Sequence, residues 1–336
     1  MYLSIPESFY FEIKYVNAED LNIEELMRLD FRANNVVIGV ILPNQRENRW
    51  INDKEAIESE AEAKGATLKI EYSDFNIDKE VSSIKNLILE GIDALILTPV
   101  NQAGESEVIK EAKDKGIKVI SYDMLAQNSN IDLYISFNIT RIGEFQGEYL
   151  VKKVPKGNYI TLSGEPSGDI LKKGAMEYIM PLVYIGDIKI VADRKVFGWN
   201  PDFAFDIVKD SLIENDNKID AILAPNDLIA GASINALQTE GLAGKVAVTG
   251  QDADLNAIRR IIEGTQTMTV LKDSRQLGKL AIDYAIRLAN EEALIYYKVT
   301  YNGVMEVPTF LIDPIVIDRT NIFEVLNKTG YYKEYI

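Results

Sequence analysis

Two stretches of the chain, "IDALILTPVN" at Ile92–Asn101 and "IDAILAPND" at Ile219–Asp227, repeat one pattern. Each follows a helical segment, supplies a short apolar run and reaches a proline and an asparagine near its end. Runs that are apolar on both faces are typical of parallel strands covered by helices on two sides. Two copies of this layout therefore predict two similar α/β domains in one chain.

The alternation of strand and helix continues on both sides of the repeat. Apolar runs predict strands at Val36–Leu42, Thr67–Tyr72, Ala94–Leu97, Lys118–Ser121, Leu133–Phe137, Tyr159–Leu162, Ile188–Val191, Ala221–Ala224, Val246–Thr249 and Thr267–Val270. Helices are predicted between them, for instance at Lys54–Lys64, Ser82–Leu89, Glu105–Lys115, Asp202–Leu212 and Ser274–Asn290. Strands joined by right-handed helical crossovers give Rossmann-like sheets.

Composition excludes several classes of function. The 336 residues carry a net charge of −16 and include neither histidine nor cysteine. An acidic surface repels phosphate backbones, so nucleic acid is not an expected partner. Thiol nucleophiles, Ser-His-Asp triads and nearly all zinc sites are ruled out as well. No phosphate-binding glycine loop is visible, so we expect neither a metal nor a cofactor, and no enzymatic activity.

Residues 1–34 form an acidic extension that differs from the rest. Within it, "NAEDLNIEELMRLDF" at Asn17–Phe31 predicts a short amphipathic helix, which serves either as a packed terminal segment or as a partner-binding element. The chain shows no signal-peptide pattern and no apolar run of membrane-spanning length. These patterns leave two alternatives, a cytoplasmic protein or an export segment outside this sequence.

Ligands of open parallel sheets bind beyond the carboxyl ends of the strands, where the loops converge. The polar and aromatic residues found at these places are Arg49, Trp50, Asn101, Asp123, Asn138, Trp199, Asn226, Asp227, Asp252, Asp254 and Lys272. Carboxylates, amides and single cations bind hydroxyl groups, and charged partners strengthen such bonds. The two tryptophans can cover the C–H faces of a sugar ring. The set therefore favours a neutral polyol as ligand.

Each candidate also has an ordinary structural interpretation. The two tryptophans, Trp50 and Trp199, can serve as a helix-capping core residue and as a loop plug. Asp123, Asn226 and Asp227 are residue types that cap helices. Asp252 and Asp254 can ligate a cation, and Asp252 can equally contact the substrate of an enzyme. Lys272 alone is typical of a solvated charge. These alternatives stay open at the level of the residues alone.

A resemblance to a known family rests on several motifs together. They are "NRW" after the first strand, "VISYD", "LYISFN" with "IGEFQ", "FGW", "APND", "KVAVTGQDADL" and "GTQTMTVLK". From about Asn35 to Ile336 the chain resembles the xylose-binding members of the periplasmic sugar-binding proteins of the ribose/galactose type.

The resemblance implies a type I periplasmic binding fold, with two Rossmann-like lobes joined by three hinge crossovers and closing on sugar in the cleft. It implies an N-terminal lobe of residues 35–138 and 273–305, and a C-terminal lobe of residues 139–272 and 306–336. It also implies seven sugar contacts, at Arg49, Trp50, Asp123, Trp199, Asn226, Asp252 and Lys272, and we expect Asn138, at a position where the family has aspartate, as an eighth ligand-binding residue.

Three positions depart from the family's pattern. Met124 stands where the family has arginine, and Asn138-Ile139 stands where it has Asp-Asn. The loop after "TLSGEP" is shorter than in the family. A lost charged hydrogen bond costs about 1.5–3 kcal/mol, which corresponds to roughly ten- to a hundredfold in affinity. We therefore expect weaker binding of D-xylose or a preference for a similar pentose.

The resemblance further implies an extracytoplasmic protein and a membrane partner. We expect closure on the sugar to be reported to the extracytoplasmic domain of a sensor histidine kinase, with an ABC-type xylose permease as the alternative partner. A sugar-responsive repressor shares this fold, but it requires a basic DNA-binding headpiece, and residues 1–34 are acidic and too short. An enzyme is disfavoured because no nucleophile–base pair is visible.

Overall fold

A computed structural model of the chain describes residues 14–15, 35–45, 48–100, 105–164, 167–296 and 298–332. The helix expected at Asn17–Phe31 lies outside the described residues, as does the acidic extension 1–34 apart from Lys14–Tyr15. None of the helices in these ranges combines the length and the hydropathy needed to cross a bilayer.

The described residues form ten α-helices, one short 3-10 helix at Phe197–Trp199 and fifteen strands. The helices are α1 (Asn48–Lys64), α2 (Ile77–Leu89), α3 (Ser106–Asp114), α4 (Ile139–Lys153), α5 (Ser167–Tyr184), α6 (Pro201–Glu214), α7 (Asp227–Thr239), α8 (Leu255–Glu263), α9 (Ser274–Ala289) and α10 (Ile322–Thr329). The strands are β1 (Lys14–Tyr15), β2 (Val37–Leu42), β3 (Thr67–Tyr72), β4 (Ala94–Leu97), β5 (Lys118–Tyr122), β6 (Leu133–Phe137), β7 (Gly157–Ser163), β8 (Ile188–Lys195), β9 (Ala221–Leu223), β10 (Ala247–Val248), β11 (Met268–Leu271), β12 (Ile295–Tyr296), β13 (Lys298–Tyr301), β14 (Glu306–Ile312) and β15 (Ile315–Asp318).

The first of two compact units contains the described residues up to Phe137 together with Ser274–Ile312. Its main sheet has the order β13-β14-β6-β5-β4-β2-β3 and is parallel except for the β13–β14 pair. One face of the sheet packs against α1 and α9, and the other against α2 and α3. Strands β2 and β4 lie between these two layers, which explains why they are apolar on both faces.

The second unit contains Asn138–Asp273 and the described residues from Asp313 onward. Its main sheet has the order β10-β9-β7-β8 and is parallel, while β11 and β15 form an antiparallel pair. The backbone N–H of Thr267, just before β11, donates to the carbonyl oxygen of Val248 in β10 over 3.0 Å. This bond places β11 next to β10. The loops that follow the two strands therefore begin at the same edge of the unit.

The chain passes between the two units three times, after Phe137, after Asp273 and after Ile312. The first two passages lie within one residue of the expected boundaries, but the third lies seven residues later than the boundary expected after residue 305. The reason is β14, which pairs with β6 in parallel and so belongs to the first unit. The α/β fold class with parallel, helix-covered sheets is as expected.

Helix α1 begins at Asn48, whereas the sequence predicted a start at Lys54. The buried residues Trp50, Asp53, Ile57 and Ala61 recur at helical spacing and face the sheet. The early start places Arg49 and Trp50 in the first turn of a helix rather than in the loop before it. Their side chains are therefore held by a regular element.

Two glutamates share a buried hydrogen bond at the edge of the first unit. Glu80, in the first turn of α2, and Glu105, just before α3, are both fully buried. Burial, together with the hydrogen bond to Glu105 and its charge, raises the pKa of Glu80 to about 9. The backbone N–H of Val100 donates to Oε2 of Glu80 over 3.2 Å. Glu80 therefore keeps its proton at neutral pH.

We expect Glu80→Gln to stabilise the protein above neutral pH. The carboxyl of Glu80 ionises near 4.5 when unfolded, so its contribution to stability is fully present below that pH and is lost as pH rises toward 9. The amide has no proton to lose, so the gain in unfolding free energy at pH 8 should be about 2 kcal/mol. Urea unfolding from pH 4 to 9 measures this, with exposed Glu107→Gln as the control. A constant difference between the two variants across that pH range would contradict the raised pKa of Glu80.

Candidate functional site

The eight expected ligand-binding residues divide between the two units. Arg49, Trp50 and Asp123 lie in the first unit, and Asn138, Trp199, Asn226, Asp252 and Lys272 lie in the second. Each group follows the carboxyl ends of its unit's strands or begins a helix there. The geometry of each group is therefore set within its own unit.

Arg49 is fixed by two carboxylates. Its Nε donates to Oδ2 of Asp53 over 2.7 Å, and its Nη2 donates to Oδ1 of Asp123 over 2.7 Å. The other oxygen of Asp53 accepts a short hydrogen bond from the hydroxyl of Tyr122. The guanidinium carbon also lies 4.9 Å from the ring centre of Trp50. Arg49 therefore has one orientation, with its Nε and Nη2 both engaged.

The protonation states in this network follow from burial and charge. Burial lowers the pKa of Arg49, but the charges of Asp123 and Asp53 outweigh burial and hold the pKa well above its usual value. Burial raises the pKa of Tyr122, and the neighbouring charge of Asp53 raises it further. Tyr122 is therefore the donor and Asp53 the acceptor. Burial also raises the pKa of Asp53, against the opposing effect of Arg49.

Asp53 was not among the expected site residues. It is fully buried and touches Arg49 from one helical turn away. The signal was present in the sequence as an Arg-Asp pair at i and i+4, which faces one side of a helix. It was missed because the helix was expected to begin only at Lys54.

Trp50 is only 6 % exposed and packs in the same core cluster as Ile57, Tyr122 and Phe137. This packing matches the alternative interpretation of Trp50 as a core residue behind the strand. Its indole Nε1 is buried and has no hydrogen-bond partner among the described residues. An unpaired buried N–H is energetically costly, and Trp50 therefore keeps one unused hydrogen-bond donor.

Asp123 does not cap a helix, which excludes its alternative role. It lies in a turn between β5 and β6 and has a left-handed φ of 64°. Its carbonyl oxygen accepts from the hydroxyl of Ser136 over 2.7 Å and from that of Tyr134 over 3.1 Å. These bonds hold a backbone conformation that asparagine and aspartate tolerate better than most residues. Met124 follows in the same turn.

Trp199 ends the 3-10 helix with a φ of 53° and is half-buried. A Cβ built on Gly164, just after β7, would lie 2.6–2.7 Å from three carbons of the indole. Nearly equal distances to three fused-ring carbons place that point over the ring face, so the indole rests flat on the Gly164 backbone. The loop-plug interpretation explains the covered face, and the remaining surface stays accessible.

Asn226 caps α7, because its side-chain oxygen accepts from the N–H of Ile229 over 3.0 Å. Asn138 caps α4 in the same way, with Arg141 N–H as the donor at 3.2 Å. Both caps use the carbonyl oxygen, so the amide NH₂ of each points away from the helix bond as a donor. The capping interpretation and a ligand contact are compatible for both residues.

Asp252 and Lys272 form an ion pair at the end of β10 and β11. The Nζ of Lys272 lies 3.1 Å from Oδ1 of Asp252, and the side chains are 18 % and 35 % exposed. Asp252 has an unusual φ of 98° and its N–H donates to Val270 O over 2.9 Å. A metal-ion role for Asp252 is disfavoured because a lysine already neutralises it. The described residues contain no group of three acidic side chains suited to a metal.

Asp227 is a structural anchor beside this pair. The residue is 1 % exposed, and its carboxylate accepts from Gln266 Nε2, Thr269 Oγ1 and the Asp254 N–H at 2.7–3.0 Å. Burial raises the pKa of Asp227 well above its usual value, and the charge of Asp252 adds to that effect. It ties α7 to the loop after β10 and to β11, and so positions Asp252.

The two groups offer hydrogen-bond donors, carboxylate acceptors and one accessible aromatic face. None of the expected residues forms a nucleophile–base pair of the kind that catalysis requires. After "TLSGEP" (Thr161–Pro166) the chain enters helix α5 directly at Ser167, and Glu165 and Pro166 lie outside the described residues. The arrangement is suited to reversible binding of a neutral, hydroxyl-rich molecule.

Comparison with known proteins agrees with this chemistry. The sequence profile of the periplasmic binding protein domain matches residues 38–293. The D-xylose-binding periplasmic protein of Escherichia coli is 40 % identical over 305 residues, which cover 90 % of this chain and 92 % of that protein. The D-xylose-binding periplasmic protein of Haemophilus influenzae is 39 % identical, with 88 % and 90 % covered.

A solved structure gives the same result at the level of the fold. The carbohydrate transporter solute-binding protein of Chloroflexus aurantiacus, in complex with D-glucose, is 27 % identical with a TM-score of 0.78. The match covers 89 % of this chain and 97 % of that one. Taken with the sequence matches, these similarities show that the chain belongs to the type I periplasmic binding protein family, as one of its extracytoplasmic, non-enzymatic sugar-binding members.

Proposed function

We propose that the protein binds D-xylose, or a closely similar pentose, through the residue groups of both units, and that it releases the sugar unchanged. The observation that carries this proposal is the pair of preformed ion pairs, Arg49–Asp123 and Lys272–Asp252. Each pair leaves its side chains partly exposed, between 18 % and 35 %. Charged donors and acceptors of this kind suit vicinal hydroxyls.

Two further features support a sugar rather than another polar ligand. The half-buried Trp199 has one face on Gly164, and its remaining surface suits the C–H face of a pyranose. The unpaired Nε1 of Trp50 is a donor that a sugar hydroxyl would satisfy. The xylose-binding relatives, at 40 % and 39 % identity, favour a pentose.

Tryptophan fluorescence tests the proposal directly, because the chain has only two tryptophans. D-xylose should produce a saturable change, with ribose, arabinose and glucose much weaker. Trp199→Phe should remove most of that change, since Trp50 is already buried. No response to any of the four sugars, by fluorescence and by calorimetry, would refute pentose binding.

The membrane partner is a separate proposal. The Chloroflexus relative is described as a transporter solute-binding protein, which favours delivery of sugar to an ABC-type permease. Signalling to a sensor histidine kinase stays a prediction. Pull-down with the extracytoplasmic parts of a candidate permease and a candidate sensor, with and without xylose, separates the two. Sugar-dependent capture by the sensor alone would overturn the permease assignment.

We expect Gly164→Ala to weaken xylose binding by about tenfold, because the new methyl would push the indole of Trp199 off its support. An approach of 2.6 Å to ring carbons cannot be accommodated without moving the ring. Gly168→Ala should weaken binding less than Gly164→Ala does. Its Cβ would lie 3.2 Å from the same indole, so the ring needs only a small adjustment. Calorimetric titration of both variants measures the effect. Equal affinities would mean that Trp199 does not contact the sugar.

A further inference from the structure

The second unit has a cavity of about 510 Å³ at the edge of its sheet where the strands begin. Its walls come from the end of α4, the loops that lead into β10 and β11, and the turn after β15. Thr267 lines the cavity at the start of β11, whereas Lys272 of the sugar-binding group follows that strand's other end. Five residues of strand span about 16 Å, so the two sites are distinct.

Three cations from separate segments line this cavity, namely Lys153, Lys245 and Arg319. None of them has an ion-pair or hydrogen-bond partner for its side chain among the described residues. Nearby lysines behave differently. Lys152 pairs with Glu148 over 2.6 Å, and Lys156 pairs with Asp187 over 3.0 Å. Three uncompensated cations around one cavity are unexpected in a chain with a net charge of −16.

The single carboxylate in the lining does not cancel these charges. Asp318 accepts from the hydroxyl of Tyr149 over 2.8 Å and from the N–H of Thr320 over 2.7 Å. With three cations and one carboxylate, the lining carries a net charge of +2. Because Asp318 is already satisfied by donors, its oxygens do not need the cations. A ligand with two negative charges would balance the site.

The end of α4 offers a simpler explanation for one of the cations. A lysine in the last turn of a helix interacts favourably with the helix dipole, which accounts for Lys153. Lys245 precedes β10 and Arg319 follows β15, so neither is near that helix end in sequence. The dipole therefore leaves two of the three cations unexplained.

Apolar groups complete the walls, among them Val154, Val246 and Ile261. The volume lies in the range of small-molecule sites, which combine apolar walls with a few placed charges. We infer that this cavity binds a small organic dianion, with Lys153, Lys245 and Arg319 neutralising its charge and the apolar wall covering its body. The inference does not depend on the proposed sugar binding.

Four probes of matched size test the inference by calorimetry at constant ionic strength: phenyl phosphate, phthalate, benzoate and phenol. We expect phenyl phosphate or phthalate to bind at least about tenfold more tightly than benzoate, and phenol not to bind. A preference between the two dianions distinguishes a phosphate ligand from a dicarboxylate. Benzoate binding as tightly as both dianions, or no binding of any probe, would overturn the inference.

Matched variants locate the binding. The triple variant Lys153→Gln, Lys245→Gln, Arg319→Gln should weaken the preferred dianion at least about tenfold. The control Lys173→Gln, Lys189→Gln, Arg259→Gln removes the same number and types of exposed cations from the same unit and should leave affinity unchanged. Both variants should keep the parent's affinity for xylose. Equal loss of dianion binding in the two variants would mean a nonspecific charge effect and would refute the site.

Discussion

Asp252→Ala is expected to weaken xylose binding by more than about a hundredfold while leaving the protein folded. Asp252 accepts from the Nε2 of Gln251 over 3.0 Å and pairs with Lys272 over 3.1 Å, and it is 35 % exposed. Its removal takes away a charged acceptor for hydroxyls and leaves Lys272 without the carboxylate that orients it. Loss of one such charged contact costs about 1.5–3 kcal/mol, and the disordered lysine adds to the effect.

The control for this prediction is Asp254→Asn, two residues further along the same loop. Asp254 precedes α8 without a side-chain capping bond. It lines a cavity together with Pro201 and Phe205, and neither Asp252 nor Lys272 lines that cavity. Calorimetric titration of xylose against both variants, with thermal unfolding as a check on the fold, gives the comparison. Retained affinity in Asp252→Ala would show that the second unit's ion pair is not part of the sugar site.

Asp227→Ala is expected to lower the free energy of unfolding by about 3–5 kcal/mol. The substitution removes a fully buried carboxylate and leaves the donors of Gln266, Thr269 and Asp254 without their acceptor. Each unsatisfied buried donor costs about 1 kcal/mol or more. Exposed Asp206→Ala on α6 serves as the control and should change stability by less than about 0.5 kcal/mol.

A double-mutant cycle distinguishes lost bonds from a general packing defect. Thr269→Val removes one of the donors that Asp227 satisfies, at a cost of about 1 kcal/mol when Asp227 is present. In the Asp227→Ala background the same change should cost less, because that donor is already unpaired, and the cost that remains is the lost bond from the Ala253 N–H to Thr269 Oγ1. Urea unfolding of the four proteins measures the coupling. Strict additivity would contradict a direct bond between the two side chains.

Much of the fold could be predicted because its causes are local. Burial on both faces produces the apolar runs, and those at Thr67–Tyr72, Ala94–Leu97 and Leu133–Phe137 match the observed strands residue for residue. Errors occurred where tertiary contacts override the local pattern. Helix α1 begins six residues early because Trp50 and Asp53 pack inward, and the third passage between units is displaced because β14 pairs with β6.

The candidate site was predictable in its residue types but not in its contacts. The positions of Arg49 and Asp123 after strand ends pointed to one sheet edge, since parallel strands end together. The i, i+4 spacing of Arg49 and Asp53 was present in the sequence, but nothing in it indicated that Tyr122 would join the network around Arg49. The local pattern suggested a ligand contact or a helix cap for Asp227, although it is the buried acceptor for donors up to 42 positions away.

The sequence by itself determined two similar α/β units and the chemistry available at their strand ends, because burial and turn formation act over a few neighbouring residues. Only the tertiary structure decided which side chains meet. Arg49 reaches Asp123 across 74 positions, and Glu105 raises the pKa of Glu80 from a different helix start. Such contacts depend on strand order and on which helix faces which side of the sheet, and no local pattern encodes either. The same dependence gathers Lys153, Lys245 and Arg319 around one cavity from three separate segments.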